Sequence, residues 1–191
     1  MRRRQKTRKS PQKTQKTRKT RGMTRQSRRP RSRRRKRQPA AKGPIAVVVV
    51  AAPGSWGELA RRCLELEQDL RVVAAVTEAE RALAAVRAHR PIVVLLDQDL
   101  PRLGALGLLP KLRRGRRPPR VLAIAREPDD DLAVEVAKRG GQGLISEETL
   151  ETLLAKAVRR VAAGEAWLSR TQEPRVLEAL WQLAGSGNGK H

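Results

Sequence analysis

Asp97 is the residue best placed for chemistry in this sequence. It ends the aliphatic run Ile92–Leu96 (IVVLL), and the surrounding segment Val93–Pro101 reads VVLLDQDLP. A run of this kind predicts a strand that is buried on both faces. In sheets of such strands, functional groups gather at the carboxyl ends. A carboxylate at that position can act on a ligand, or it can cap a helix or loop at the edge of the sheet.

Other reactive residue types are few. Two His and one Cys cannot form a zinc-type cluster, and the single Cys63, which lies among leucines, favours a structural thiol in a reducing compartment. Asp129–Asp131 could suggest a metal site, but the three residues open a predicted helix, where capping explains them. No Gly-rich phosphate loop follows a strand, and there is no Ser-His-Asp set. We therefore predict that the protein is not an enzyme.

The elements that must position these groups alternate regularly along the chain. The predicted strands are Ile45–Val50, Arg71–Val76, Ile92–Leu96, Arg120–Ala125 and Gly143–Ile145. The predicted helices are Trp56–Glu67, Glu78–His89, Gly104–Arg114, Asp129–Arg139 and Glu148–Ala163, with Ser55 as a cap of the first. Buried strands joined by helical crossovers predict a parallel sheet with helices on both faces. The strand ends Ala51-Ala52, Asp97, Ala125 and Glu147 then form one candidate site.

The joint spacing of four segments resembles that of bacterial response-regulator receiver domains. An aliphatic run that ends in Asp, with Pro four residues later, is typical of their phosphoacceptor strand, and Val93–Pro101 has this form. Val72–Val76, Gly140–Ile145 (GGQGLI) and Arg159–Ser169 (RRVAAGEAWLS) fall on the same pattern, the last close to NarL/LuxR-type receivers. The resemblance covers roughly residues 44–170. It implies an α/β fold of the flavodoxin-like (βα)5 class, with a five-stranded parallel sheet in the order 2-1-3-4-5.

The resemblance also implies a set of functional groups, most of which this sequence lacks. The family binds Mg²⁺ through an acidic pair after the first strand, and it uses a Ser or Thr after the fourth strand and a Lys after the fifth. The corresponding positions here are Ala51 and Ala52 for the acidic pair, Ala125 for the Ser or Thr, and Glu147 for the Lys, whereas Asp97 and Pro101 match. We predict a degenerate receiver without a metal or other cofactor. Mg²⁺ would be needed only if Asp97 is a working phosphoacceptor.

Two roles stay open for Asp97: a phosphoacceptor, or a cap at the edge of the sheet. Glu147 would repel a phosphate. Together with Glu148 it also opens a predicted helix, where negative charge is favourable.

The charge is concentrated in the first 42 residues. They hold 21 of the 43 Lys and Arg and no acid, whereas the rest holds 22 against 19 acids and carries only +3 of the +24. We predict a disordered basic tail over residues 1–43, a receiver-like domain over 44–165, and over 166–191 a linker with one helix and a flexible end. Residues 2–42 are expected to contact DNA or RNA without sequence preference. The alternatives are a solvated tail that binds no ligand, and translation from a later start such as Met23.

The C-terminal segment differs from what the resemblance implies. Receivers of this type usually continue into a helix-turn-helix, but here Pro174 is followed by one predicted helix, Arg175–Ala184. One helix cannot make that motif, so we expect the chain to lack it. The helix carries the apolar stripe Val176, Leu177, Leu180, Trp181 and Leu183, which is predicted to pack against the domain or a partner.

Three functions follow as hypotheses. The first is a regulatory module that binds a protein partner without obligatory phosphorylation; the partner would be a histidine kinase or another regulatory protein, with a homodimer as a further candidate. The second is a phosphorylatable response regulator that uses Asp97. The third is a nonspecific nucleic-acid-binding protein. No apolar run approaches the roughly 20 residues of a membrane span, so we predict a cytoplasmic location without membrane contact.

Overall fold

A computed structural model describes residues 43–101 and 104–186. The predictions for the basic tail before Gly43 and for the flexible end after Ser186 lie outside the described residues. No helix in the described part of the chain is both long and apolar enough to cross a bilayer.

Within residues 43–101 and 104–186, five parallel strands form one sheet in the order 2-1-3-4-5, numbered along the chain, as predicted. The strands are β1 (Ile45–Val50), β2 (Leu70–Val76), β3 (Val93–Asp97), β4 (Arg120–Ala125) and β5 (Gly143–Ser146). In the register of the central strands, Val47 of β1 pairs with Val93 of β3, which pairs with Arg120 of β4. All of β3 is buried, since helices cover both faces of the sheet and leave no polar side for alternation.

In the part of the chain that the structure describes, six α-helices accompany the sheet: α1 (Gly57–Glu65), α2 (Ala79–His89), α3 (Gly104–Leu112), α4 (Asp130–Lys138), α5 (Leu150–Ala163) and α6 (Gln172–Ser186). Helices α2, α3 and α4 pack on one face of the sheet, where alanines and leucines fill the core. Helices α1 and α5 pack on the other face. The core is therefore two aliphatic layers on either side of the sheet.

Several helices end earlier than predicted. Helix α1 stops at Glu65, and Leu66, which falls within the predicted helix Trp56–Glu67, is 86% exposed. Cys63 is half-buried on the same helix, and burial raises the pKa of its thiol, which favours the unreactive protonated form. Helix α3 ends at Leu112, two residues after Pro110, whose ring cannot donate a backbone hydrogen bond.

The ends of α4 and α5 follow the predicted capping chemistry. Asp129 is the N-cap of α4 and accepts a hydrogen bond from the Leu132 N–H at 2.7 Å, so the aspartate run caps a helix as predicted. The predicted helix from Glu148 is a 3₁₀ turn, Glu147–Thr149, followed by α5. Gly164 ends α5 in the left-handed region, at φ 98°.

The chain after α5 crosses the outer edge of the sheet. The Leu144 N–H of β5 donates to the Trp167 carbonyl at 3.0 Å, and the Trp167 N–H donates to the Gln142 carbonyl at 2.9 Å. The crossing is close, because a Cβ on Gly143 would lie 2.5 Å from the Trp167 oxygen. The short parallel bridge covers backbone groups of β5 that would otherwise form an open edge.

Helix α6 then packs on α4 through one side only. It begins at Gln172, three residues before the predicted start, because Pro174 falls in the first turn, where no helical N–H is needed. Gln172 and Val176 are buried, whereas Leu177 is 50% exposed and Trp181 is 77% exposed. Leu180 and Leu183 are exposed as well, so for these four residues of the predicted stripe the expectation of packing against the domain is wrong within the described chain. Their contact with a partner stays a prediction.

Candidate functional site

The carboxyl ends of the strands bring the predicted site residues to one edge of the sheet. Asp97 ends β3 opposite Ile124 of β4, and Ala125 lies opposite Ser146 of β5. Glu147 follows β5 directly, two strand spacings or about 10 Å across the edge from Asp97. This edge of the sheet therefore contains Ala51, Ala52, Asp97, Ala125 and Glu147. Pro101 lies in an exposed turn after β3.

The Asp97 carboxylate is occupied by hydrogen-bond donors of its own chain. It is only 3% exposed. Its Oδ2 accepts from the Ala52 N–H at 2.9 Å and from the Ser55 hydroxyl at 3.0 Å. Its Oδ1 accepts from the Asp99 N–H at 3.0 Å. Both oxygens thus hold the two loops that meet at this edge, which is the geometry of a loop cap.

Ser55 is the residue whose role the sequence prediction assigned wrongly. It does not cap α1, since Trp56 is the N-cap residue and makes no side-chain capping bond. Instead the Ser55 hydroxyl lies 2.8 Å from the Ala52 carbonyl and 3.0 Å from Asp97 Oδ2, so its single proton is shared between two acceptors. The sequence offered one indication of this contact with Asp97. Ser55 is the first residue with a hydroxyl after β1, so it lies at the same edge of the sheet as Asp97.

The residues at this edge do not fit a bound Mg²⁺. A hard cation takes several oxygen ligands, but the side chains of Ala51 and Ala52 end in methyl groups, and Ala51 is 4% exposed. The nearest carboxylate, Asp97, already accepts three hydrogen bonds. Over residues 43–101 and 104–186, no group of three or more His, Cys, Asp or Glu side chains could hold a metal ion.

Glu147 faces a cation that the sequence prediction did not identify. Its Oε2 lies 3.8 Å from Nε of Arg126, the residue that follows β4. The Arg126 side chain is 76% exposed, so this pair is a weak surface contact. The Ser146 hydroxyl accepts from the Glu148 N–H at 3.3 Å and caps the turn that carries Glu147. Glu147 therefore opens a helical turn, as its sequence context predicted.

Comparison with known proteins identifies the domain. The family model described as "Response regulator receiver domain" matches residues 53–159. The chain is 27% identical over 124 residues to the transcriptional regulatory protein DegU of Brevibacillus brevis, covering 65% of this chain and 52% of that protein. It is 26% identical over 120 residues to the nitrate/nitrite response regulator protein NarL of Escherichia coli K12, covering 63% and 56%. The chain thus spans about half the length of these curated relatives.

A solved structure agrees with this assignment. The signal receiver domain of the putative response regulator NarL from Mycobacterium tuberculosis superposes with a TM-score of 0.61 at 27% identity, covering 64% of this chain and 99% of that one. The matched family model spans more than half of the chain and includes Asp97. The strand order is the one that the resemblance implied. The chain therefore belongs to the response regulator receiver domain family of two-component systems.

Proposed function

We propose that this receiver domain acts by binding a protein partner and does not depend on phosphorylation of Asp97. The observation that carries the proposal is the hydrogen bonding of Asp97. Both carboxylate oxygens are engaged by the Ala52 N–H, the Ser55 hydroxyl and the Asp99 N–H. Oδ2 already accepts two hydrogen bonds and Oδ1 one, and the residue is only 3% exposed, so a phosphodonor has little access to either oxygen.

The charges around Asp97 support the same proposal. Phosphoryl transfer to a carboxylate depends mostly on positioning and on neutralising the phosphoryl charge. Ala51 and Ala52 supply no side-chain metal ligand, and Glu147 places a negative charge where the family has a Lys; its contact with the exposed Arg126, at 3.8 Å, is weak. Losing one preorganised stabilising group typically costs about 3–4 kcal/mol of barrier, or roughly 100- to 1,000-fold in rate. Ala125 also has no hydroxyl with which to bind the phosphate.

The partner in this proposal is a histidine kinase or another regulatory protein of the cytoplasm. A homodimer is the alternative partner, and the exposed face of α6, formed by Leu177, Leu180 and Trp181, is the surface that would serve it. The domain organisation proposed with it is a basic tail before residue 44, the receiver domain to residue 165, and a C-terminal extension that contains α6.

The test is phosphorylation by a small phosphodonor. We expect no gain of a phosphoryl group when the full chain is incubated with Mg²⁺ and acetyl phosphate and its intact mass is measured. A variant that carries the family's groups, Ala51→Asp, Ala52→Asp, Ala125→Thr and Glu147→Lys, is the matched positive control. It is expected to gain one phosphoryl group at Asp97.

An Asp97→Asn substitution shows which carboxylate is modified. Rapid phosphorylation of the unmodified chain that disappears with Asp97→Asn would support the phosphorylatable response regulator and overturn the proposal. Phosphorylation confined to the variant with the restored groups would show that the four substituted positions limit the reaction.

A second candidate function is nonspecific binding of DNA or RNA by residues 2–42. The basis for this candidate is the charge distribution, since 21 Lys and Arg residues and no acidic residue precede Gly43. Neutralising phosphates with such a segment releases condensed counterions, so the affinity would fall steeply with salt. Few apolar groups and no aromatic side chain lie in the tail, so we propose contacts with the phosphate backbone only.

A further inference from the structure

The segment between α3 and β4 concentrates positive charge on the folded domain. Five of the seven residues from Lys111 to Arg117 are Lys or Arg, and no acid occurs between Asp99 and Glu127. The five cationic residues, which we call the basic loop, are exposed: Lys111, Arg113, Arg114, Arg116 and Arg117. Leu112, which lies among them, is buried at 2% exposure and anchors the segment to the core.

The charge of the basic loop is not neutralised within the described part of the chain. Arg61 and Arg159 each bind two carboxylates. By contrast, Lys111, Arg114, Arg116 and Arg117 form no ion pair or side-chain hydrogen bond with any residue in 43–101 or 104–186. Residues 43–191 carry a formal charge of only +3, so this loop is a local positive region on a nearly neutral domain. Such a region attracts polyanions.

One arginine fixes the loop in place. Nη1 of Arg113 donates to the Gly140 carbonyl at 3.0 Å and ties the loop to the turn between α4 and β5. Gly140 is required there, because it has a φ of 90° and a Cβ would lie 2.3 Å from Cδ of Arg113. The loop then ends at Pro118-Pro119, which restrict the backbone before β4. The remaining cations are therefore presented from a restrained segment.

The basic loop lies at the amino edge of the sheet, where β1 and β4 begin. The Arg120 N–H at the start of β4 donates to the Ile92 carbonyl at 2.9 Å, and the Ile92 N–H donates to the Ala46 carbonyl at 2.9 Å. The starts of β4 and β1 are thus two strand spacings, or about 10 Å, apart. The basic loop, which precedes β4, therefore lies at the edge of the sheet opposite Asp97.

We propose that the basic loop is a second binding site for the phosphate backbone of DNA or RNA, separate from the tail and located on the folded receiver domain. Arginine supplies four of its five cations, and the planar guanidinium matches the oxygens of a phosphate in a bidentate geometry. The loop has no aromatic side chain to stack on bases and no exposed large aliphatic side chain to enter a bilayer. Binding is therefore independent of sequence. The proposal shares its ligand class with the tail candidate and is independent of phosphorylation.

The experiment compares two triple variants of the full chain that lose the same charge. The loop variant carries Arg114→Gln, Arg116→Gln and Arg117→Gln. The control variant carries Arg62→Gln, Arg71→Gln and Arg87→Gln, three exposed arginines dispersed over α1, β2 and α2. Affinity for a labelled DNA duplex of arbitrary sequence is measured by fluorescence anisotropy between 50 and 300 mM salt. The slope of log affinity against log salt is expected to fall by about 2–3 in the loop variant, because each phosphate contact contributes about 0.9. It should change by less than about 1 in the control.

The other possible results of this experiment would each contradict part of the proposal. Equal slopes for the two variants, with binding retained, would overturn the loop proposal and leave the tail candidate standing. Absence of duplex binding by the unmodified chain would overturn both. Binding to polyglutamate or to vesicles of anionic lipid, but not to the duplex, would overturn the nucleic-acid assignment in favour of another polyanion. Urea unfolding of both variants should match the unmodified chain, because the substituted side chains are exposed.

Discussion

The Asp97 carboxylate holds together two loops, the one that follows β1 and the one that follows β3. Its carboxylate accepts from one backbone N–H after β1 and from another after β3, and it is almost inaccessible to solvent. A buried carboxylate without partners would be strongly unfavourable. The three donors offset the desolvation cost of the carboxylate. A substitution that removes the carboxylate would leave these donors without their acceptor.

Substitutions at Asp97 should reveal this structural role. Asp97→Ala leaves the Ala52 and Asp99 N–H groups without their acceptor, and an unpaired buried group typically costs about 1–3 kcal/mol. We expect the free energy of unfolding to fall by about 3 kcal/mol, and by about 1–2 kcal/mol in Asp97→Asn, which keeps one acceptor oxygen. Urea denaturation measures both. Asp99→Ala is the control, since the Asp99 side chain is exposed and its N–H is retained. A stable Asp97→Ala variant would contradict the structural role.

At the scale of elements, α6 is attached to the domain by few groups. Val176 lies in the core layer with α4, and the Arg175 guanidinium lies 3.5 Å from Asp130 and 3.6 Å from Asp131. These ion pairs are exposed and contribute little. Burial of Val176 is therefore the main apolar attachment of the first half of the helix.

Two neighbouring residues of α6 form a matched pair of tests. Val176→Ala removes buried methyl groups and is expected to lower the free energy of unfolding by about 2 kcal/mol. Leu177→Ala, at a side chain that is 50% exposed, should change it by less than about 0.5 kcal/mol. Urea unfolding followed by Trp fluorescence measures both. The opposite ranking would mean that the other face of α6 carries the contact.

A second contact between elements depends on pH. Arg159 of α5 donates from Nε to Oδ2 of Asp69 at 2.8 Å, and it also pairs with Glu67. The side-chain hydrogen bond from Arg159 is the main reason why the pKa of Asp69 lies below its usual value of 3.8. A lowered folded-state pKa means that the pair stabilises the fold above about pH 4. That contribution is lost as the pH falls through the lower, folded-state pKa.

Arg159→Ala is therefore expected to lower stability slightly at pH 7 and to flatten its dependence on pH below 4. The cost at pH 7 should be about 1 kcal/mol or less, because the guanidinium and both carboxylates are more than a third exposed. Urea unfolding at pH 7, 4 and 2.5 measures the difference between the variant and the unmodified chain. A difference that grows as the pH falls would have the wrong sign for this mechanism.

At the scale of the whole molecule, the two edges of the sheet carry different chemistry. The carboxyl edge holds Asp97 among its own loop donors, and the amino edge holds the basic loop. The nucleic-acid site proposed on the basic loop therefore lies away from Asp97.

Removal of residues 1–42 tests how the tail and the basic loop divide nucleic-acid binding. The core formed by the described residues lies after Gly43, and residues 1–42 hold few apolar groups, so the shortened chain should fold with unchanged stability. Its affinity for a DNA duplex is expected to fall by at least 100-fold at 50 mM salt, because most phosphate contacts are lost. A weak, salt-dependent affinity should remain and disappear with the loop variant. Unchanged affinity after truncation would refute the role of the tail.

Local pattern alone determined the class of fold. Aliphatic runs such as Ile45–Val50 and Ile92–Leu96, separated by segments of helical periodicity, leave little choice except a parallel sheet covered on both faces. The resemblance added the strand order, and the structure confirms it. Charge segregation into the first 42 residues is likewise a property of the sequence.

Only the tertiary structure decided what surrounds Asp97 and which side of α6 is buried. Ser55 and Ala52 are 42 and 45 residues from Asp97 along the chain, and only the pairing of β1 with β3 brings them into hydrogen-bond distance. Val176 and Leu177 are both apolar neighbours, so periodicity could not choose between them until α4 supplied a surface. Local patterns specify elements because they reflect burial and backbone preference. The partners of a buried polar group depend on contacts between distant segments, which the assembled sheet alone creates.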